Sequence, residues 1–163
     1  MEEDVMVFCR PRFRTEIAAV AVCGCFALAL ASTVYGDDVG QMKVSKGAVH
    51  IERGGQKLPR QVGMRVQQSD VIVTGVDGSA GIAFMDDSLL SVGPNSVLAI
   101  DRFEFDSTTH RGAFDSSLKK GTLAAVSGKL AKQSPEAMKV RTPAALLGVR
   151  GTEFVVRTSE PTD

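Results

Sequence analysis

The chain has no tryptophan, one tyrosine and only eight phenylalanines. Stacked bases and sugar rings need aromatic platforms, so sites of that kind are scarce here. Cysteine is confined to Cys9, Cys23 and Cys25. Whatever folds after residue 25 therefore has neither a disulfide nor a thiolate metal site. A surplus of one charge is also missing, since 19 Lys and Arg balance 19 Asp and Glu. Non-specific binding to nucleic acid or to an acidic membrane surface needs a basic surplus, and that class is excluded. The two histidines, His50 and His110, lie far apart and show no ligand spacing, so no metal is expected. No Ser-His-Asp, Cys-His or paired-carboxylate arrangement can be defended. Gly54-Gly55 is not a phosphate loop, because no helix follows it. No cofactor is expected.

What the chain does have begins with an address. Residues 10–16 carry three arginines, residues 17–31 (IAAVAVCGCFALALA) carry no charge, and two aspartates follow at Asp37 and Asp38. A basic start, an apolar centre and small residues at Ala29 and Ala31 are the features of a secretory signal peptide. Cleavage after Ala31 or after Gly36 fits, and the charge asymmetry puts the remainder outside. Two alternatives stay open. The apolar stretch 17–34 is close to the minimum length of a spanning helix and could remain as an uncleaved inner-membrane anchor. Val22-Cys23-Gly24-Cys25 faintly resembles a lipoprotein cleavage site. The acidic MEED start is unusual for a signal, and Met6 is a possible true start. The expected division is thus 1–36 as signal segment and 37–163 as an exported, periplasmic domain that is itself nearly neutral.

That domain reads as all-β. GAVHIER (47–53) alternates, and Gly54-Gly55 follows as a hairpin turn. DVIVTG (70–75), SAGIAFM (79–85), SLLSV (88–92) and SVLAIDRFEF (96–105) are short strands ended by turn signals. GTLAAVSG (121–128), MKVRT (138–142) and GTEFVVR (151–157) are further strands. Residues 106–117 read as a polar loop around a short strand, and 129–136 as a helical turn or a loop interrupted by Pro135. Crossover helices are missing, which argues against a parallel α/β fold. Sixteen glycines favour tight turns, and the expected form is a sandwich-like or solenoid-like roll. On SVLAIDRFEF, Arg102, Glu104 and Asp106 should share a solvated face opposite Phe103 and Phe105. Asp86-Asp87-Ser88 lacks the alternating ligands and closing Glu of a calcium loop and reads as a turn. Lys119-Lys120 and Lys129–Lys132 read as surface charge.

The order of Leu58, Gly63, Asp70, Thr74-Gly75, Gly78-Ser79, Phe84, Asp86, Ser88, Pro94 and Ser96 resembles the FecR domain, across about residues 39–158. The stretch TPAALLGVRGTEFVV (142–156) resembles the segment that closes that domain, through Thr142, Pro143, Gly148, Arg150, Gly151, Thr152 and Phe154. The resemblance implies a periplasmic sensor or interaction module in envelope signalling, with another envelope protein as partner and no enzymatic turnover. A structural or glycan-binding envelope module is the alternative. Two features depart from the family pattern. Asp87 stands where the family usually has glycine, and aspartate tolerates the left-handed conformation that such a turn needs. About 16 residues precede the apolar segment, far too few for the anti-sigma domain of the family's iron-uptake regulators.

In the closing segment Thr142-Pro143 suits a strand start or an edge. Leu146, Leu147 and Val149 are expected to be buried. Arg150 is expected to be held near the sheet end by a carboxylate or by backbone carbonyls, with Asp86, Asp87 and Glu153 as candidate partners. The resemblance also implies a chemical reading, in which some family members cleave themselves at the Gly-Thr bond, here Gly151–Thr152. The threonine hydroxyl would attack the preceding carbonyl of a distorted peptide.

Overall fold

The computed structural model describes residues 37–59, 61–149 and 152–159. The signal segment, Arg150 and Gly151 lie outside the described residues. The described chain forms one sheet of twelve strands with one short helix. The first half contributes β1 (Asp38–Lys46), β2 (Val49–Arg53), β3 (Gln56–Pro59), β4 (Arg65–Gln67), β5 (Val71–Thr74) and β6 (Ser79–Phe84). The second contributes β7 (Leu89–Val92), β8 (Val97–Phe105), β9 (Gly112–Val126), α1 (Lys129–Gln133), β10 (Met138–Arg141), β11 (Leu146–Gly148) and β12 (Glu153–Thr158). The expected all-β class holds, and the roll takes the form of a single sheet that curls on itself.

The alternation of β5 and β6 puts every second residue inside, and β2 does the same with Val49 and Ile51. Gly54 and Gly55 both have positive φ, +55° and +78°, as a two-residue hairpin between β2 and β3 requires. The strand order is β3-β2-β5-β8-β9-β7-β6-β1-β4, with β10 and β12 also paired to β9 and β11 paired to β10. All pairings are antiparallel except that of β10 with β9.

β9 organises the rest. Its first part pairs with β8 and β10, and its second part with β7 and β12. β7 and β8 follow one another along it. Val92 lies opposite Leu123 and, after a turn at Gly93–Ser96, Val97 lies opposite Lys120. At the same level β9 bends through Gly121, whose φ is +96°. The two parts of the sheet turn toward each other across this corner, and the core fills the space between them. Phe84 of β6 packs against Phe103 of β8 and Phe114 of β9, with ring centroids 5.4 and 4.6 Å away, and Phe103 meets Phe114 edge-on at 5.2 Å. Met42, Ile51, Ile72, Ile82, Leu90, Leu98, Ile100, Leu118 and Leu123 surround them, all fully buried.

Three sequence expectations change. Residues 106–117 are only partly a loop: β9 begins at Gly112 and is the longest strand, with Phe114 fully buried. β1 and β4 are strands not anticipated from the sequence. Pro143 occupies the turn of the β10–β11 hairpin rather than a strand start. There the Thr142 N–H bonds to the Ala145 carbonyl at 2.8 Å, and proline supplies the fixed φ the turn uses. Of the two readings left open for 129–136, the structure has a helical turn over Lys129–Gln133, α1, with Ser134–Glu136 outside it. The face assignments on β8 also hold: Arg102 grips Glu104 on the exposed side, while Phe103 is buried.

Candidate functional site

The residues that carry the family resemblance fall into three hydrogen-bonded knots, each built on buried polar groups. The first holds Asp70, which is completely buried. β2 ends with Arg53, and the pairing of β2 with β5 brings its guanidinium to the start of β5. Arg53 Nε and Nη2 donate to the two carboxylate oxygens of Asp70, both at 2.7 Å. Gln67 N–H donates to the same carboxylate at 2.8 Å, and Arg53 also donates to the Arg65 carbonyl. A bidentate fork of this kind answers the cost of burying the charge. The hydrogen bond to Asp70 holds the Arg53 guanidinium above its ordinary pKa.

The second knot sits at the bend of β9. Thr74 Oγ1 donates to the Gly93 carbonyl at 2.6 Å and accepts the Ser96 N–H at 2.9 Å. Ser96 Oγ in turn donates to the Pro94 carbonyl at 3.0 Å and accepts the Thr122 N–H at 2.9 Å. Gly75 N–H reaches the Ala48 carbonyl at 2.8 Å, and the Gly75 carbonyl accepts from Asn95. A Cβ on Gly121 would sit 2.0 Å from Ser96 Oγ, so glycine is required by both the bend and the close approach.

The third knot joins the β6–β7 turn to the start of α1. Asp86 is completely buried, and its carboxylate accepts Ser88 N–H at 3.0 Å and Ser88 Oγ–H at 2.6 Å. Ser88 Oγ accepts Gly128 N–H at 2.9 Å, and Lys129 N–H bonds to the Asp86 carbonyl at 2.7 Å. Asp87 has φ +65°, the left-handed conformation expected of it in place of glycine. Its carboxylate pairs with Lys129 at 2.8 Å, and that hydrogen bond holds it below the ordinary carboxylate value. Gly63 stands apart from all three, in the β3–β4 connection, with φ +91° and its N–H on the Met42 carbonyl.

The closing segment is less uniform. Val149 is buried and Leu147 half-buried, but Leu146 is 60% exposed, because the short β11 turns it to the open side of the hairpin. Gly148 has open space where a Cβ would lie. Of the partners expected for Arg150, Asp86 is engaged by Ser88 and Asp87 by Lys129, while Glu153 is exposed. Thr152 is exposed, and its carbonyl accepts the Ser127 N–H at 2.8 Å. Phe154 is half-buried on β12. No cluster of His, Cys, Asp or Glu among the described residues could hold a metal.

Sequence reasoning missed the other half of every knot: Arg53 for Asp70, Gly121 and Thr122 for Ser96, and Gly128 and Lys129 for Asp86. Gly121 was read as the start of a strand, where it is a bend within one. Side chains that are buried and hydrogen-bonded to turns hold a fold together, and Asp70, Thr74, Asp86, Ser88 and Ser96 are all of that kind.

Neither a curated protein nor a solved structure matches the chain. A family model described as "FecR protein" matches residues 70–162, more than half of the chain and starting later than the resemblance at Leu58 and Gly63 suggested. Because that match covers more than half of the chain, including Asp70, Thr74, Asp86, Ser88 and Ser96 of the three knots, the chain belongs to the FecR family.

Proposed function

We propose that this is an exported, non-enzymatic domain that binds another cell-envelope protein, as a periplasmic sensor or interaction module. The observation that carries this reading is the outer edge of β12. Among the described residues β12 is hydrogen-bonded only to β9. Ser127 N–H bonds to the Thr152 carbonyl, and bonding alternates along an antiparallel ladder. Phe154, Val156 and Thr158 therefore turn their backbone groups to β9, and Glu153, Val155 and Arg157 turn theirs outward. Val155 is 66% exposed. Beside this edge, Leu147, Val149, Phe154 and Val156 line an apolar groove of about 280 Å³. An unpaired edge beside an apolar groove suits an extended segment of a partner, added as a further strand with one side chain in the groove.

The placement of the aromatic residues favours this over glycan binding, since Phe84, Phe103 and Phe114 close on one another in the core. Among the described residues no helix is long and apolar enough to cross a membrane, and residues 17–34 lie outside them. Membrane contact in this reading is limited to that segment, if it stays uncleaved.

The test is capture from an envelope fraction with the full chain and with Val155→Pro, which removes an outward N–H and leaves the β9 ladder intact. A specific envelope protein held by wild type and lost with Val155→Pro is the expected result. Recovery of the same proteins by both chains would end the edge-strand idea. The non-enzymatic part is tested by intact mass. Wild type and Thr152→Ala should give the same species, uncut between Gly151 and Thr152, whereas a wild-type fragment ending at Gly151 that Thr152→Ala abolishes would make the chain self-cleaving.

A further inference from the structure

The corner of the sheet carries a second feature that the edge strand does not use. Beside the bend of β9 lies a cleft of about 460 Å³, within the size range of small-molecule sites. Among the described residues that line it, none is acidic, while Lys120 and Arg157 are both basic. Asn95, Thr122 and Ser159 add an amide and two hydroxyls. The ladder sets their arrangement. Arg157 lies directly opposite Thr122, and Thr158 opposite Gly121. The Arg157–Thr122 pair is a non-hydrogen-bonded one, the kind that brings facing side chains closest on one side of the sheet. Thr122 spends its N–H on Ser96 Oγ and its carbonyl on the Gly93 N–H, which leaves its hydroxyl for other use.

Among the described residues Arg157 has no carboxylate within ion-pair distance. Arg53 and Arg102, by contrast, each fork an acid, whereas Arg157, like Arg111 and Arg141, faces none among the described residues. A guanidinium fork with a hydroxyl opposite it and an ammonium close by is the donor set that matches a phosphate group: planar paired donors, a point charge and neutral donors for the remaining oxygens.

We propose that this cleft binds a small phosphorylated ligand, with Arg157 as the main phosphate-binding group and Lys120, Thr122 and Asn95 as supporting donors. The volume exceeds that of a phosphate ion and leaves room for a polar body of about sugar size. The site is independent of the β12 edge. A ligand here needs no partner protein, and a partner on the edge needs no ligand here.

The experiment is calorimetric titration of the full chain at low salt with three probes: inorganic phosphate, a hexose phosphate and acetate. Saturable binding of the hexose phosphate, tighter than that of inorganic phosphate and far tighter than that of acetate, is expected. Arg157→Gln should weaken it at least about tenfold, the scale of removing one charge-assisted hydrogen bond, and Lys120→Gln should do so to a smaller extent. Arg157 is exposed and its substitution should leave the melting temperature in place, so weaker binding in Arg157→Gln cannot be laid to misfolding. Lys139→Gln, at an exposed position of β10, serves as the charge control and should bind as wild type does. The proposal is overturned if no probe saturates, or if Arg157→Gln binds as tightly as wild type. It is also overturned if the chain binds anionic phospholipid vesicles but none of the soluble phosphates, which would make the surface a membrane-binding one instead.

Discussion

Two buried serines make the same change mean opposite things. Ser96 Oγ both accepts the Thr122 N–H and donates to the Pro94 carbonyl. Ser96→Ala leaves a backbone N–H unpaired at the corner and should cost about 2 kcal/mol in urea denaturation. Ser116 Oγ is buried with no protein partner among the described residues. Ser116→Ala removes a polar atom that returns nothing, so it should be neutral or stabilising by up to about 1 kcal/mol. If both alanines cost the same, the hydrogen bonds assigned to Ser96 are not what holds the corner. Gly128 offers a steric counterpart. A Cβ there would lie 2.2 Å from the Asp86 carbonyl oxygen and 2.4 Å from the Ser88 nitrogen, both backbone atoms that cannot swing away. Gly128→Ala should therefore destabilise by about 2–3 kcal/mol, the scale of overpacking, with unchanged native spectra where it folds.

At the scale of the turn and the strand, three exposed carboxylates are held below their ordinary values by identified neighbours. Asp87 is held by the Lys129 hydrogen bond and Glu104 by the Arg102 hydrogen bond. Asp106 is held first by the backbone N–H of Thr108 and then by Thr109. A depressed native value means that the folded state takes up its proton later than the unfolded chain does. These groups contribute stability above the ordinary carboxylate range, and that contribution is lost as pH falls through and below it. The melting temperature should thus decline on acidification below about pH 4. Salt separates the causes. Raising it should move the Asp87 and Glu104 midpoints upward, because their partners are screened charges, and leave Asp106 nearly still. An Asp106 midpoint that follows salt as Asp87 does would contradict the turn geometry.

The same scale explains which elements could be read from the sequence. β2, β5 and β6 keep a clean two-residue alternation between turn signals, β8 keeps it over Arg102–Phe105, and they were legible. β1 was not, because its register shifts between Asp38 and Gly40 and again between Met42 and Val44, and each bulge breaks the alternation. The first part of β9 was hidden by Ser116, a polar residue at an inward position, and by Gly121, which looks like a strand end but is a bend within a strand. In the knots, Asp70, Thr74, Asp86, Ser88 and Ser96 were visible as a pattern. Their partners were not, since Arg53 meets Asp70 only through the β2–β5 pairing and Gly128 meets Ser88 across 40 positions.

For the whole molecule the decisive element is β9, hydrogen-bonded along both edges and shared by both parts of the sheet. Neither part has a complete interior without it. Phe114 projects from β9 into the ring cluster that joins the two parts, so Phe114→Ala should cost about 4 kcal/mol and lower the whole transition rather than one portion of it. Hydrogen exchange should find the slowest amides on β9 and faster ones on β3, β4 and β11, which end or leave the sheet. Two separate exchange populations dividing at Gly121 would show that the parts fold independently.

The place of β9 in the chain adds a matter of timing. The strands that precede it leave the amino end first, yet β6–β7 and β5–β8 meet around one interior only when residues 112–126 arrive. Pairings that close over such separations form slowly. A chain released in order from its amino end thus spends its early life without a stable core. For a chain that must thread a narrow channel before folding, that delay is an advantage, because the strand that locks the structure is among the later parts to pass through. Under the export proposed above, a circular permutation that moves residues 106–126 ahead of β1 is expected to hasten folding and slow export, and equal export of both forms would remove the connection.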